Sequence, residues 1–309
     1  MGRYVLQRLL GLIPLLLAIY TLVFFLMRVM PGGPWEDAER PLPPAVVENL
    51  RAKYRTDAPL WEQYTDYLVG IVTRFDFGPS YRNASRTVND IFADFLPVSL
   101  QLGAAAMLLA LAIGLPLGVL AAIRHNSWID HLAMLVAMAG ISIPNYVMAS
   151  LLVLLFASTL RLVPTSGWSG IFSSQAIIPA LALALGPAAR LARYTRAATL
   201  EVMRQDYVRT ARAKGLRERG VVARHMLKNA LIPVATVAGV QLAFVLTGSF
   251  FVETVCGVPG IGRYFVLSVT GRDYPVIMGT VLLMAVVISV VNLLVDLSYA
   301  VLDPRIRLG

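Results

Sequence analysis

Asp206-Tyr207-Val208-Arg209-Thr210-Ala211-Arg212-Ala213-Lys214-Gly215-Leu216 is an island of polar sequence between strongly apolar runs, and it sets the reading of everything around it. A carboxylate at Asp206 can accept from the first orphan N–H groups of a helix, and Gly215 enters the left-handed conformation without steric cost. The residues therefore predict a helix capped at both ends, about two turns long and too short to be stable alone in water. Such a helix must dock on something. Arg209, Arg212 and Lys214 alternate with the small Thr210, Ala211 and Ala213, which suits a close-fitting protein partner. An ordinary basic loop on the inner face of a membrane accounts for the same residues.

The apolar runs on either side settle the class. The 309 residues are 57% hydrophobic and 15% charged, against about 25% charged in soluble domains. Mean hydropathy is +0.69, and the charges cluster between long apolar stretches. The chain reads as a polytopic membrane protein. A net charge of +9 could suggest nucleic acid, but eleven of the 27 basic residues fall in Arg190–Lys228 with no stacking aromatic series, as a positive-inside loop would have. No nucleic-acid partner is expected. Cys256 is the sole cysteine, which excludes an intrachain disulfide.

In chain order, Leu9–Met27 is long enough to span a bilayer core of about 30 Å and reads as a retained first span, closed by Pro31-Gly32-Gly33-Pro34. Trp35–Phe95 carries ten acidic and seven basic side chains (net −3) and is expected outside as a small folded shelf. Further spans are expected at Leu100–Ala122, Leu132–Leu160 with a kink at Ser142-Ile143-Pro144-Asn145, Ile177–Ala189, Leu231–Val252 and Val276–Leu297. The fourth has only thirteen residues and contains Gly186 and Pro187. It is allowed to cross because the basic segment after it belongs inside. Glu253–Tyr274 is expected as an outer loop, and Arg305 and Arg307 in an inner tail. This makes six spans with both termini inside. Arg28, at the outer end of the first span, is the one loop charge that disagrees. The expected division is residues 1–30 as the first helix, 31–98 as the shelf and 99–309 as a five-helix core with its basic loop at 190–230.

Gly257–Gly262 lacks the Lys-Ser/Thr of a phosphate loop, and no such motif occurs elsewhere. His125, His131 and His225 have neither metal-ligand nor triad spacing, so no catalytic or metal site is expected. Glu253 reads first as a carboxylate solvated at the membrane surface and second as a gate. Asp296 reads as a partner for the Arg-rich inner surface rather than as a proton carrier. Short, Pro- or Gly-interrupted spans often border a pathway, which marks Ser142, Pro144, Asn145, Gly186 and Glu253 as candidates. Plain helix crowding accounts for the small residues equally well.

The island together with Arg224-His225 and Asn229-Ala230-Leu231-Ile232-Pro233 resembles the cytoplasmic coupling loop of permease subunits from binding-protein-dependent ABC importers. Met30-Pro31-Gly32-Gly33-Pro34, Asp76-Phe77-Gly78-Pro79-Ser80, Pro164-Thr165-Ser166-Gly167-Trp168, Glu253 through Gly262 and Arg272-Asp273-Tyr274-Pro275 extend the resemblance end to end, towards the B-type subunit of oligopeptide and dipeptide importers. The general motif begins Glu-Ala-Ala, where this chain has Arg209-Thr210-Ala211, a form that fits the peptide subset. Leu42-Pro43-Pro44 leans slightly towards the oligopeptide branch.

The resemblance implies an all-α type I importer permease fold in a bacterial or archaeal inner membrane. It implies two cytoplasmic ATPases holding ATP-Mg, a homologous second permease, and an external peptide-binding protein. This chain would bind no cofactor itself. Asp206, Tyr207, Arg209, Thr210, Ala211, Arg212, Ala213, Lys214, Gly215 and Leu216 would meet the ATPase. The rival from another class is a self-contained ion-coupled transporter or channel built on Asp296 or Glu253.

Overall fold

A computed structural model describes residues 2–30, 32–35, 43–247 and 250–302. Pro31, Leu42 and the tail with Arg305 and Arg307 lie outside the described residues. Among the described residues the regular structure is helical, apart from one isolated bridge between Pro79 and Thr87.

Helix α1 (Gly2–Val29) is followed by two short helices, α2 (Pro44–Tyr54) and α3 (Leu60–Arg74). Helix α4 (Val88–Ile123) starts a dozen residues before the expected span, on a capping box between Thr87 and Asp90. Helix α5 (Trp128–Ser142) and α6 (Asn145–Leu152), the latter prolonged by a π-helical turn (Val153–Thr159), replace the third expected span. They bend by 105° at Ile143-Pro144. Proline's missing N–H makes that break.

Helix α7 (Ile177–Met203) is 27 residues long, twice the expected fourth span. A hydropathy reading stops at Arg190, but Arg, Ala and Leu are all good helix formers, so the backbone continues. Helix α8 (Asp206–Ala213), α9 (Glu218–Gly220), a π-turn (Val221–Met226) and α10 (Leu227–Thr247) follow. The expected outer loop is instead a helical elbow. Helix α11 (Phe250–Cys256) and α12 (Ile261–Gly271) meet at 92°, and α13 (Tyr274–Leu302) completes the chain. Among the described residues five helices are long and apolar enough to cross a membrane, and up to seven spans result if each bent pair is one.

Glycines let the bundle close. Gly114 faces Ala188 and Leu191, and Gly118 faces Ala192 and Thr195, so α4 and α7 run parallel and nearly touch backbone to backbone. A Cβ on Gly118 would stand 2.5 Å from the Ala192 carbonyl oxygen. Gly118→Ala is therefore expected to cost about 1–3 kcal/mol, read as a lower apparent melting temperature in detergent; an unchanged transition would contradict the close approach. Met27 packs near Met278 while Arg8 reaches Asp296, so α1 and α13 run antiparallel. By these directions the starts of α1 and α10 and the ends of α4, α7 and α13 share one end of the bundle with α8.

At the opposite end α3 packs on α1 through Tyr20, Tyr64 and Tyr67. Arg28, the discordant charge, is turned into this junction. It donates to the Phe24 carbonyl (3.0 Å) and to Gln63 Oε1 (2.8 Å), and lies over the Phe24 ring. Asp273, buried at the α12–α13 corner, accepts from Ser80 Oγ and from the Tyr81 and Arg82 amides, which ties the turn before α4 to that corner.

Candidate functional site

Helix α8 stands where the sequence puts it, displaced by one residue at its start. Gln205, in extended backbone, is the N-cap, and Asp206 is the first helical residue rather than the cap. Its exposed carboxylate lies 3.8 Å from Arg209, in the first turn where an acid suits the helix dipole. The other end closes as a Schellman turn. The Leu216 amide donates to the Ala211 carbonyl (3.4 Å), the Gly215 amide donates to that of Arg212 (2.9 Å), and Gly215 has φ +75°.

Val208 and Ala211 are buried against Val202, Met203, Val221, Val222 and Met226. Ala211 is therefore part of the seat of α8, which corrects its assignment to the partner face. Tyr207, Arg209, Thr210, Arg212, Ala213, Lys214, Gly215 and Leu216 are exposed. Arg212 is braced by Glu218 through two bonds of 3.1 and 2.6 Å, and the Tyr207 hydroxyl accepts from Asn229 Nδ2 at 2.8 Å. The result is a rigid, basic, uncovered ridge at one end of the bundle.

The ridge is tied to the bend in the chain. Arg196, two turns before the end of α7, grips Asp130 in the first turn of α5 at 2.5 and 2.7 Å. Asp130 is 1% exposed and also accepts from the Asn126 amide (3.0 Å). From there α5 follows α7 in antiparallel register, with Gly140 against Leu185 and Ala189.

Four of the five candidate pathway residues come together at the α5–α6 break. Ser142 and Pro144 are exposed, and Asn145 Oδ1 lies 3.4 Å from where a Cβ on Gly186 would stand. Glu253 is elsewhere and fully buried, accepting from Ser99 Oγ (2.6 Å) and the Arg263 amide (3.0 Å), so its reading as a solvated carboxylate fails. Asp296 is paired with Arg8 (2.7 Å) and Tyr4 (2.8 Å) of α1, not with the 190–230 segment. Sequence reasoning missed Arg190. Counted with the basic loop, it stands midway along α7, where its Nη1 donates to Gln241 Oε1 at 2.8 Å. Its spacing, one helical turn after Gly186, was the available signal.

The family described as binding-protein-dependent transport system inner membrane component matches residues 114–308, and its N-terminal companion matches residues 1–103. The chain belongs to this family. As a member it is a multi-pass inner-membrane component, and its relatives match along their whole length. It is 47% identical to the dipeptide transport system permease protein DppB of Bacillus subtilis (strain 168), covering 100% of this chain and 99% of that one. It is 44% identical to the oligopeptide transport system permease protein OppB of Salmonella typhimurium, covering 99% and 100%. The family fold is also met in a structure of the MetNI methionine ABC transporter in an inward-facing conformation, with TM-score 0.61 and 19% identity, covering 70% of this chain and 97% of that one. An amino acid ABC transporter gives TM-score 0.52 over 68% of this chain and 94% of its own. These two neighbours support the family's architecture.

Proposed function

We propose that this chain is a permease subunit of an ATP-driven importer of short peptides, driven through α8. Dipeptide and oligopeptide permeases match it equally along its length, so the reading commits to short peptides as a class. The observation that carries the mechanism is the ridge itself: α8 is seated by Val208 and Ala211 and presents its other face uncovered. Two ATPase subunits that bind ATP-Mg would receive that face, one on this chain and one on a homologous second permease. This chain would hydrolyse nothing itself. Closure of the ATPase pair would push α8 as a rigid body and rock α7, and with it the pathway at Ser142, Pro144, Asn145 and Gly186. With the ridge cytoplasmic, both termini are cytoplasmic, and the 31–98 region faces an external peptide-binding protein.

The ion-coupled rival needs a carboxylate available to a moving cation. Asp296 is engaged by Arg8 and Tyr4, and Glu253 by Ser99 and the Arg263 amide, which favours the importer.

Cysteine cross-linking in the assembled complex tests the coupling role. Thr210→Cys is expected to link to an ATPase subunit, and Ala211→Cys, one residue on but buried, is not. If Thr210→Cys links to no ATPase, the coupling role is lost.

A further inference from the structure

Arg190 is a cation thirteen residues from either end of α7, about 20 Å along a helix long and apolar enough to cross a membrane. Ahead of it lies the apolar stretch 177–189 and after it come Arg193 and Arg196, so it stands at the α8 end of the apolar part of the helix, where a charged side chain is retained when it faces the bundle interior, pairs or serves a pathway. Arg190 has only part of a partner. Gln241, 7% exposed on α10, accepts one of its five N–H groups, and among the described residues no carboxylate pairs with it. Arg190 as a residue is half-buried rather than sealed.

Its surroundings open on the bend. A Cβ on Gly186 would stand 3.9 Å from Arg190 Nη1 and 3.4 Å from Asn145 Oδ1. The bare glycine thus leaves a space bounded by a cation from α7 and an amide from the first turn of α6. Ser142 and Pro144, both exposed, lie at the same break. A discontinuous helix beside a polar group within the bundle is where transporters commonly hold their solute.

We propose that Arg190, with Asn145 beside it over Gly186, receives the carboxylate of the transported peptide. This rests on the reading of the chain as a peptide permease. A path that must pass many side chains can rely only on groups that every peptide carries, and the C-terminal carboxylate is the anionic one. A guanidinium holds a carboxylate through charge-assisted hydrogen bonds and repels the α-ammonium, so it also orients the chain.

The test uses the whole importer in proteoliposomes with two probes, trialanine with a free C-terminus and its C-terminal amide. Uptake by each variant is taken relative to wild type with the same probe, so any preference of the external binding protein cancels. Arg190→Gln is expected to lower free-acid uptake roughly tenfold or more while the amide changes by less than about twofold, since a hydrogen bond to a charged group is lost only in the first case. Equal losses for both probes, or none, overturn the proposal and make Arg190 a strut or the partner of an acid on a neighbouring subunit. Arg190→Lys keeps the charge and shortens the reach. It carries the test if Arg190→Gln does not assemble: retained preference for the free acid supports the proposal, and equal loss of both probes overturns it. Failure of wild type to take up trialanine overturns the peptide-import reading itself, and the Arg190 proposal with it.

Discussion

Asp130→Ala is expected to destabilise the chain by about 3 kcal/mol and to lower transport per ATP hydrolysed roughly tenfold. The stability loss follows from burial. Asp130 is 1% exposed and accepts from both arms of Arg196 and from the Asn126 amide. Removing it strands a guanidinium that is only 24% exposed, and the partial exposure sets the loss near the lower end of the usual range. The coupling loss follows from connectivity. Helix α8 rests on Val202 and Met203 at the end of α7, Arg196 is two turns above them, and Asp130 begins α5. A push on α8 thus reaches the bent pair through this ion pair, a positioning contact that touches no solute. Two readouts separate the effects: the apparent melting temperature should fall roughly 5–10 °C, and hydrolysis by the assembled complex should continue while uptake falls. Asp130→Asn, which keeps the shape and one acceptor, should fall between. Wild-type uptake per ATP in Asp130→Ala would dismiss the pair as a transmission element.

The parts legible in the sequence were those with local causes. Caps and breakers act within a few residues, so α8, its end at Gly215 and the break at Pro144 could all be read directly. The one-residue error at Gln205 lies within the ordinary play of helix ends. Which side of α8 faces out depends on Val221 and Met226, ten to fifteen residues beyond Ala211, and no local pattern reports them. The elbow at Gly257–Gly260 misled for a related reason. Gly257 with φ +64° and Gly260 as an N-cap are loop signals, yet they mark a corner between two helices rather than a loop. Arg190 was lost to averaging, because a net-positive segment hides which of its cations lies inside a helix. Arg28 was the opposite case: its side chain turns into the protein, so it never tested the charge rule for loops.

Glu253→Ala is expected to be as damaging as loss of Asp130, by a different route. The first N–H groups of a helix have no partner within it. In α12 they are served from outside. Ser99 Oγ of α4 accepts from the Ile261 amide (2.9 Å) and donates to Glu253 Oε1 of α11, whose Oε2 accepts from the Arg263 amide. The arrangement needs glycine on both sides, since a Cβ on Gly260 or Gly262 would stand 2.3 or 2.9 Å from Glu253 Oε2. Alanine at 253 leaves the buried Ser99 hydroxyl and the partly buried Arg263 amide without this acceptor and a void where the carboxyl was, together about 3 kcal/mol. Glutamine should cost less, because its oxygen can serve one donor while its NH2 faces the other. The signature is local: amide hydrogen exchange at Ile261 and Arg263 should rise in Glu253→Ala and in Ser99→Ala, while exchange in α8 at the far end stays as in wild type. Unchanged exchange at the start of α12 would mean that α4, α11 and α12 are held by packing alone. The opposite result would make this carboxylate the joint that keeps the elbow against α4, and would explain why a charge at the end of a span is sealed from water.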